Sequence, residues 1–162
     1  MQPSAIVMPE AALTFNDVVA ILDEATGAVG MTPIETNSLF VKDQLSADGY
    51  RLYHLQKPSP AYVDLSVEVS ASQITFHVDR VSEAVEWGPK QFADRERTVA
   101  ALSSFLSGYL LIEHLSARTT RMTLFRGDGE QVWSAKRTDW PGNDVRYERH
   151  LFLPLNSIPQ AA

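Results

Sequence analysis

Cysteine is absent from the 162 residues. With it go disulfide frameworks, thiolate metal sites and cysteine nucleophiles. A long apolar run is missing too. The most apolar segment, FLSGYLLI from Phe105 to Ile112, is far shorter than the roughly 20 residues of a membrane-spanning helix. The opening stretch MQPSAIVMPEAALT has no basic cluster ahead of its short apolar run, so it does not read as a secretory signal. These absences predict a cytoplasmic chain with no membrane partner.

Basic residues are scarce in one half. Residues 1–88 hold four Lys/Arg (Lys42, Arg51, Lys57 and Arg80) against twelve Asp/Glu, while residues 89–162 hold ten against eight, which gives the net charge of −6. A phosphate-backbone binder needs a basic stripe, so no nucleic-acid partner is expected. An acidic first half suits a basic protein partner, because complementary charge steers encounter.

Catalytic signatures are missing as well. GDGE (Gly127–Glu130) lacks the lysine and following helix of a phosphate-cradling loop. LSSFLSG (Leu102–Gly108) lies in a helical pattern, not at a strand-to-helix nucleophile turn. His54, His77, His114 and His150 show no paired metal spacing. His54 and His150 alternate with apolar neighbours and read as strand-surface residues. His114 reads as the end of a helix, where the dipole favours a cation. No cofactor and no metal are expected.

What is present is periodicity. The length suits one globular domain over 1–162, with 1–12 and 155–162 as flexible termini. Thr14 and Asp17 make a capping box, and Phe15, Val18, Val19, Leu22 and Ala25 follow at helical spacing up to Gly27. Strands are predicted over 34–43, 50–57, 61–69 and 73–81. Gly88 and Pro89 then open a long helix, with Val99, Leu102, Phe105, Leu106, Tyr109, Leu110 and Ile112 as its apolar surface. Ala100, Ser104, Ser107 and Gly108 form a small-residue stripe on it. Either they pack internally and the chain is a monomer, or they form a homodimer seam along the long helix. Three more strands follow, and Asp128-Gly129 marks a hairpin that sets Phe125 opposite Val132 and Leu124 opposite Trp133. The expectation is an α+β fold with a mainly antiparallel sheet of about seven strands, in the order helix, four strands, helix, three strands, with helices on one face.

The hairpin Tyr62–Arg80 is the first candidate site. If Val63, Leu65, Val67 and Val69 share the core face with Ile74, Phe76 and Val78, parity fixes the register. The outer face then pairs Glu68 with Thr75, Ser66 with His77 and Asp64 with Asp79, and places His77 diagonal to Asp64 and Glu68. A like-charge pair on a flat acidic face suits recognition of a basic partner better than it suits a metal or an acid/base pair, which need a cleft. The C-terminal half supplies the second candidate. Trp133, Trp140, Tyr147 and Phe152 lie among Arg121, Arg126, Arg137, Arg146 and Arg149, the mixture typical of interface hot spots. Trp140, Arg137 and Tyr147 are the predicted anchors there.

By class alone, small size, acidity, an α+β pattern and missing catalytic motifs resemble bacterial toxin-immunity proteins. The leading expectation is a non-enzymatic module that neutralises a protein partner. A dimeric acidic secretion-type chaperone is the second reading. The third is a small-molecule-binding or hydrolytic domain with a pocket between the sheet and the long helix.

Overall fold

The computed structural model describes residues 13–47, 49–78, 83–116, 118–138 and 149–159, with the backbone alone for 83, 84, 137 and 138. Helix α1 (Phe15–Ala28) starts at its capping box. Thr14 Oγ1 accepts from the Asp17 amide at 3.2 Å, and Asp17 Oδ2 accepts from the Thr14 amide at 2.8 Å. Those Thr14 hydrogen bonds hold the Asp17 carboxyl below its ordinary pKa. The face Val18, Val19, Ile21, Leu22 and Ala25 is buried.

The strands β1 (Phe40–Lys42), β2 (Arg51–Leu55), β3 (Leu65–Val69), β4 (Ile74–Val78) and β5 (Glu83–Trp87) form one antiparallel sheet in strict chain order. After α2 (Pro89–Phe92) and α3 (Arg95–Ser107) come β6 (Tyr109–Ser116), β7 (Thr119–Phe125), β8 (Gln131–Thr138) and β9 (Arg149–Phe152), a second antiparallel sheet ordered β8-β7-β6-β9. The α+β class with antiparallel pairing stands. The single sheet of about seven strands does not: the described residues hold nine strands in two sheets, with three α-helices.

Each departure has a local cause. The predicted long helix is interrupted at Asp94, whose side chain accepts from the Arg97 amide at 3.1 Å and caps a fresh start. It then ends at Gly108, whose backbone is extended. Leu110 and Ile112 belong to the core cluster, whereas Leu111 is buried outside it. A strand covered on both faces reads as an unbroken apolar run, which periodicity alone does not separate from helix. His114 is therefore a strand residue, with Nδ1 3.2 Å from Thr120 Oγ1, and not a helix terminus. Strand β5 carries a weak pattern because Val85 and Trp87, opposite Phe76 and Ile74, are its only large apolar residues. The first predicted strand shrinks to β1, since residues 34–39 are turns pinned by Asn37.

The β3–β4 register is the one parity required, from Leu65 opposite Val78 to Val69 opposite Ile74. In the second hairpin Leu124 faces Trp133 as expected, but Phe125 faces Gln131. Val132 is the extra residue of a bulge. The turn runs from Arg126 to Glu130, with Gly129 at φ 88°.

One hydrophobic cluster joins both sheets and the helices. Phe76, Trp87 and Phe105 meet edge to face, with Phe76 5.0 Å from Trp87 and 4.9 Å from Phe105, an arrangement the ring quadrupoles favour. Helices α1 and α3 are tied by Ser103 Oγ to the Ala25 carbonyl (3.3 Å) and by Arg95 to Glu24 (2.9 Å). A Cβ on Gly108 would lie 2.6 Å from Leu124 Cδ1 and 2.8 Å from the Ser104 carbonyl, so this end of the small-residue stripe packs internally. Residues 155–159, read from the sequence as part of a loose tail, are anchored by buried Leu155 and Ile158.

Candidate functional site

Alternation along β2, β3 and β4 turns Val67, Val69, Ile74, Phe76 and Tyr53 to the core and leaves a polar outer face. There His54, Ser66 and His77 lie in register across neighbouring strands. His54 Nδ1 is 3.0 Å from Ser66 Oγ, and its Nε2 is 3.2 Å from Asp43 Oδ2. His77 Nε2 is 3.6 Å from Glu68 Oε2. Asp64 meets Lys57 Nζ at 3.0 Å. The predicted Asp64, Glu68 and His77 thus share one face, each with a neighbour of opposite or titratable character. Asp79, and with it the Asp64–Asp79 pair, lies outside the described residues. Asp43, Asp64 and Glu68 give this face more carboxylates than the one ammonium of Lys57. No group of three or more His, Asp or Glu among the described residues is placed to hold a metal ion.

Of the second candidate, Trp140 and Tyr147 lie outside the described residues, and Arg137 occupies β8 opposite Thr120 with its side chain undescribed. Trp133 and Phe152 turn inward to the core cluster. Arg121 and Arg149 lie instead on the outer face of the second sheet, with Arg126 at the turn beside it, and Arg146 is outside the described residues. Tyr109 faces Phe125, Leu111 faces Leu151, and Glu113 faces both Arg121 and Arg149. Leu111 is 7% exposed, although it lies on the side away from the core cluster, and Leu151 beside it is 53% exposed. Tyr109, Leu111, Phe125, Arg126, Arg149 and Leu151 line a depression of about 550 Å³. Glu113 takes Arg121 at 2.9 Å and Arg149 at 3.9 Å, and Glu130 takes Arg126 at 3.4 Å. With Lys136 of β8 in register with Arg121, bases outnumber acids around the apolar centre. Sequence reasoning missed Tyr109 and Leu111 because their segment read as helix. Read as a strand after Gly108, the order Tyr109, Leu111, Glu113 already gives one face.

A further hollow of about 560 Å³ lies between β5, α3 and the bulged strand β8. The Val132 bulge lets Val132 and Trp133 both line it. Ala100, Ala101 and Ser104 of α3 form its floor.

No family model matches the chain, and neither does any curated protein or solved structure.

Proposed function

We propose that the chain is a non-enzymatic protein-binding domain that masks a partner protein in the manner of an immunity protein, and that it docks through the outer face of its second sheet. The observation that carries this reading is Leu111, shielded on the side away from the core next to an exposed Leu151. An apolar and aromatic centre ringed by arginine is where interface energy concentrates, because such anchors desolvate fully when covered. The partner suited to it presents an apolar anchor flanked by acidic residues, matching Arg126 and Arg149. The acidic hairpin face (Asp64, Glu68, His77) is a second surface in this reading, open to a basic region of the same partner, since its charge steers approach.

The test is capture from the source cell with the native chain and with a Leu151→Asp, Arg149→Glu variant, followed by affinity measurement on the purified pair. Both substituted side chains are exposed, so the fold is retained. Loss of about 2 kcal/mol or more of affinity is expected for hot-spot positions. Unchanged affinity would remove this face from the proposal.

A further inference from the structure

The hollow above Ala100 and Ala101 does not stop at the bulged strand. Trp87, Arg97 and Ala101 also line a second hollow of about 350 Å³, completed by Lys90, Gln91, Asp94 and Thr98. The two form one groove along α3 with a polarity gradient. At one end stand Met122, Val132 and Trp133. At the other stands Lys90, with Arg97 where the two hollows meet.

We propose that this groove binds a single-chain amphiphile with an anionic head, of the class of medium-chain carboxylates, tail among Trp87, Met122 and Trp133 and head at Lys90 and Arg97.

Three observations converge on it. The larger hollow falls within the roughly 300–1,000 Å³ of small-ligand sites, which are mostly apolar with few polar groups. The floor is made of Ala100 and Ala101, both exposed, on a helix that buries Leu102 and Leu106 on its far side. The side chains of Lys90 and Arg97 have no ion pair or hydrogen bond among the described residues, so their charge is available to a ligand. Acids constrain where the head sits. Glu86 lines the larger hollow and not the smaller one, so an anion is repelled from the apolar end and drawn to the Lys90 end. Asp94, in the smaller hollow, caps α3 through Oδ1 and keeps its charge, which Lys90 and Arg97 together outweigh. This site shares no residue with the outer face of the second sheet, so its success or failure is independent of the docking proposal.

Calorimetric titration of the full chain with dodecanoate below its micelle concentration tests it, with dodecyltrimethylammonium as the cationic control. The expected result is saturable binding of one dodecanoate, at least tenfold tighter than the control. Arg97→Gln should weaken it tenfold or more. Ala101→Phe should abolish it by filling the floor, with circular dichroism unchanged because Ala101 is exposed. Ala100→Phe is a second filling variant should the first perturb the fold. Absence of saturable binding overturns the proposal. So does equal affinity for the cation, or binding that survives both the filling substitutions and Arg97→Gln.

Discussion

The Tyr53 hydroxyl donates to Glu35 Oε1 at 2.5 Å, from a side chain that is wholly buried. Arg51 Nη1 reaches both Glu35 oxygens, at 2.7 and 2.8 Å. Burial, and then the hydrogen bond to the Glu35 carboxylate, push the Tyr53 hydroxyl far above its ordinary pKa. The three residues fasten the 31–39 segment to the core face of the first sheet. Tyr53→Phe should cost about 1.5–3 kcal/mol, the range for a hydrogen bond to a charged group. Glu35→Ala should cost more, because it strips both donors. Urea unfolding of the two single variants and the double variant should show a coupling of roughly 0.5–3 kcal/mol. Strict additivity would mean that the contact contributes nothing.

Asp23 gives the chain a pH dependence. Burial raises its carboxyl above the ordinary value of 3.8; the Ile34 amide, donating at 3.1 Å, opposes this, and Glu35 adds to it. A group whose folded pKa exceeds its unfolded pKa contributes stability that is full below the unfolded value and lost as pH rises through the folded one. Asp23→Asn keeps an acceptor for Ile34 and removes the charge. It should raise the thermal midpoint at neutral pH, with the gain vanishing in acid below the ordinary carboxylate value. A midpoint that falls at neutral pH but not in acid would show that the charge itself is stabilising.

Gly108 leaves no room for a side chain. Gly108→Ala should destabilise by about 1–3 kcal/mol, as overpacking does, because Leu124 or the end of α3 must shift. Guanidinium unfolding measures the loss, and sedimentation should show no change in mass. A mass change with stability intact would return this stripe to the role of an interface.

The Lys57–Asp64 contact decides how much of the acidic face is spent internally. Both side chains are partly exposed, at 27% and 39%, and such pairs are worth roughly 0–1 kcal/mol. Asp64→Asn should therefore move stability by no more than about 0.5 kcal/mol. A double-mutant cycle with Lys57→Ala checks it. A larger loss would mark Asp64 as a structural residue.

Sequence patterning exposed the parts of this fold that rest on short-range rules. The Thr14 cap needs only two residues three apart, and the β3–β4 register follows from parity in two strongly alternating strands. The division into two sheets was not legible. It depends on whether the run after Gly108 continues as helix, and Leu110, Leu111 and Ile112 satisfy either geometry. The same ambiguity hid the apolar centre at Tyr109 and Leu111. Arg121 and Arg149 were legible within the group of arginines but not as one face, since their common side appears only once both pair across from Glu113 of β6.

The strict chain order of the first sheet bears on how the molecule is made. Strands β1 to β5 are each joined to the next, so every pairing closes a short loop, the entropically cheapest kind. In the second sheet β9 lies beside β6, outside chain order, and waits for the far end of the chain. During synthesis the first sheet is expected to assemble while the α3 side of α1 has no cover. Until Arg95 and Ser103 leave the ribosome to meet Glu24 and Ala25, the nascent chain carries a greasy helix on a finished sheet. That interval is when a chaperone has most to hold. Ribosome-bound chains stalled with α3 inside the exit tunnel and with α3 outside it should differ in chaperone crosslinking to α1 for that reason.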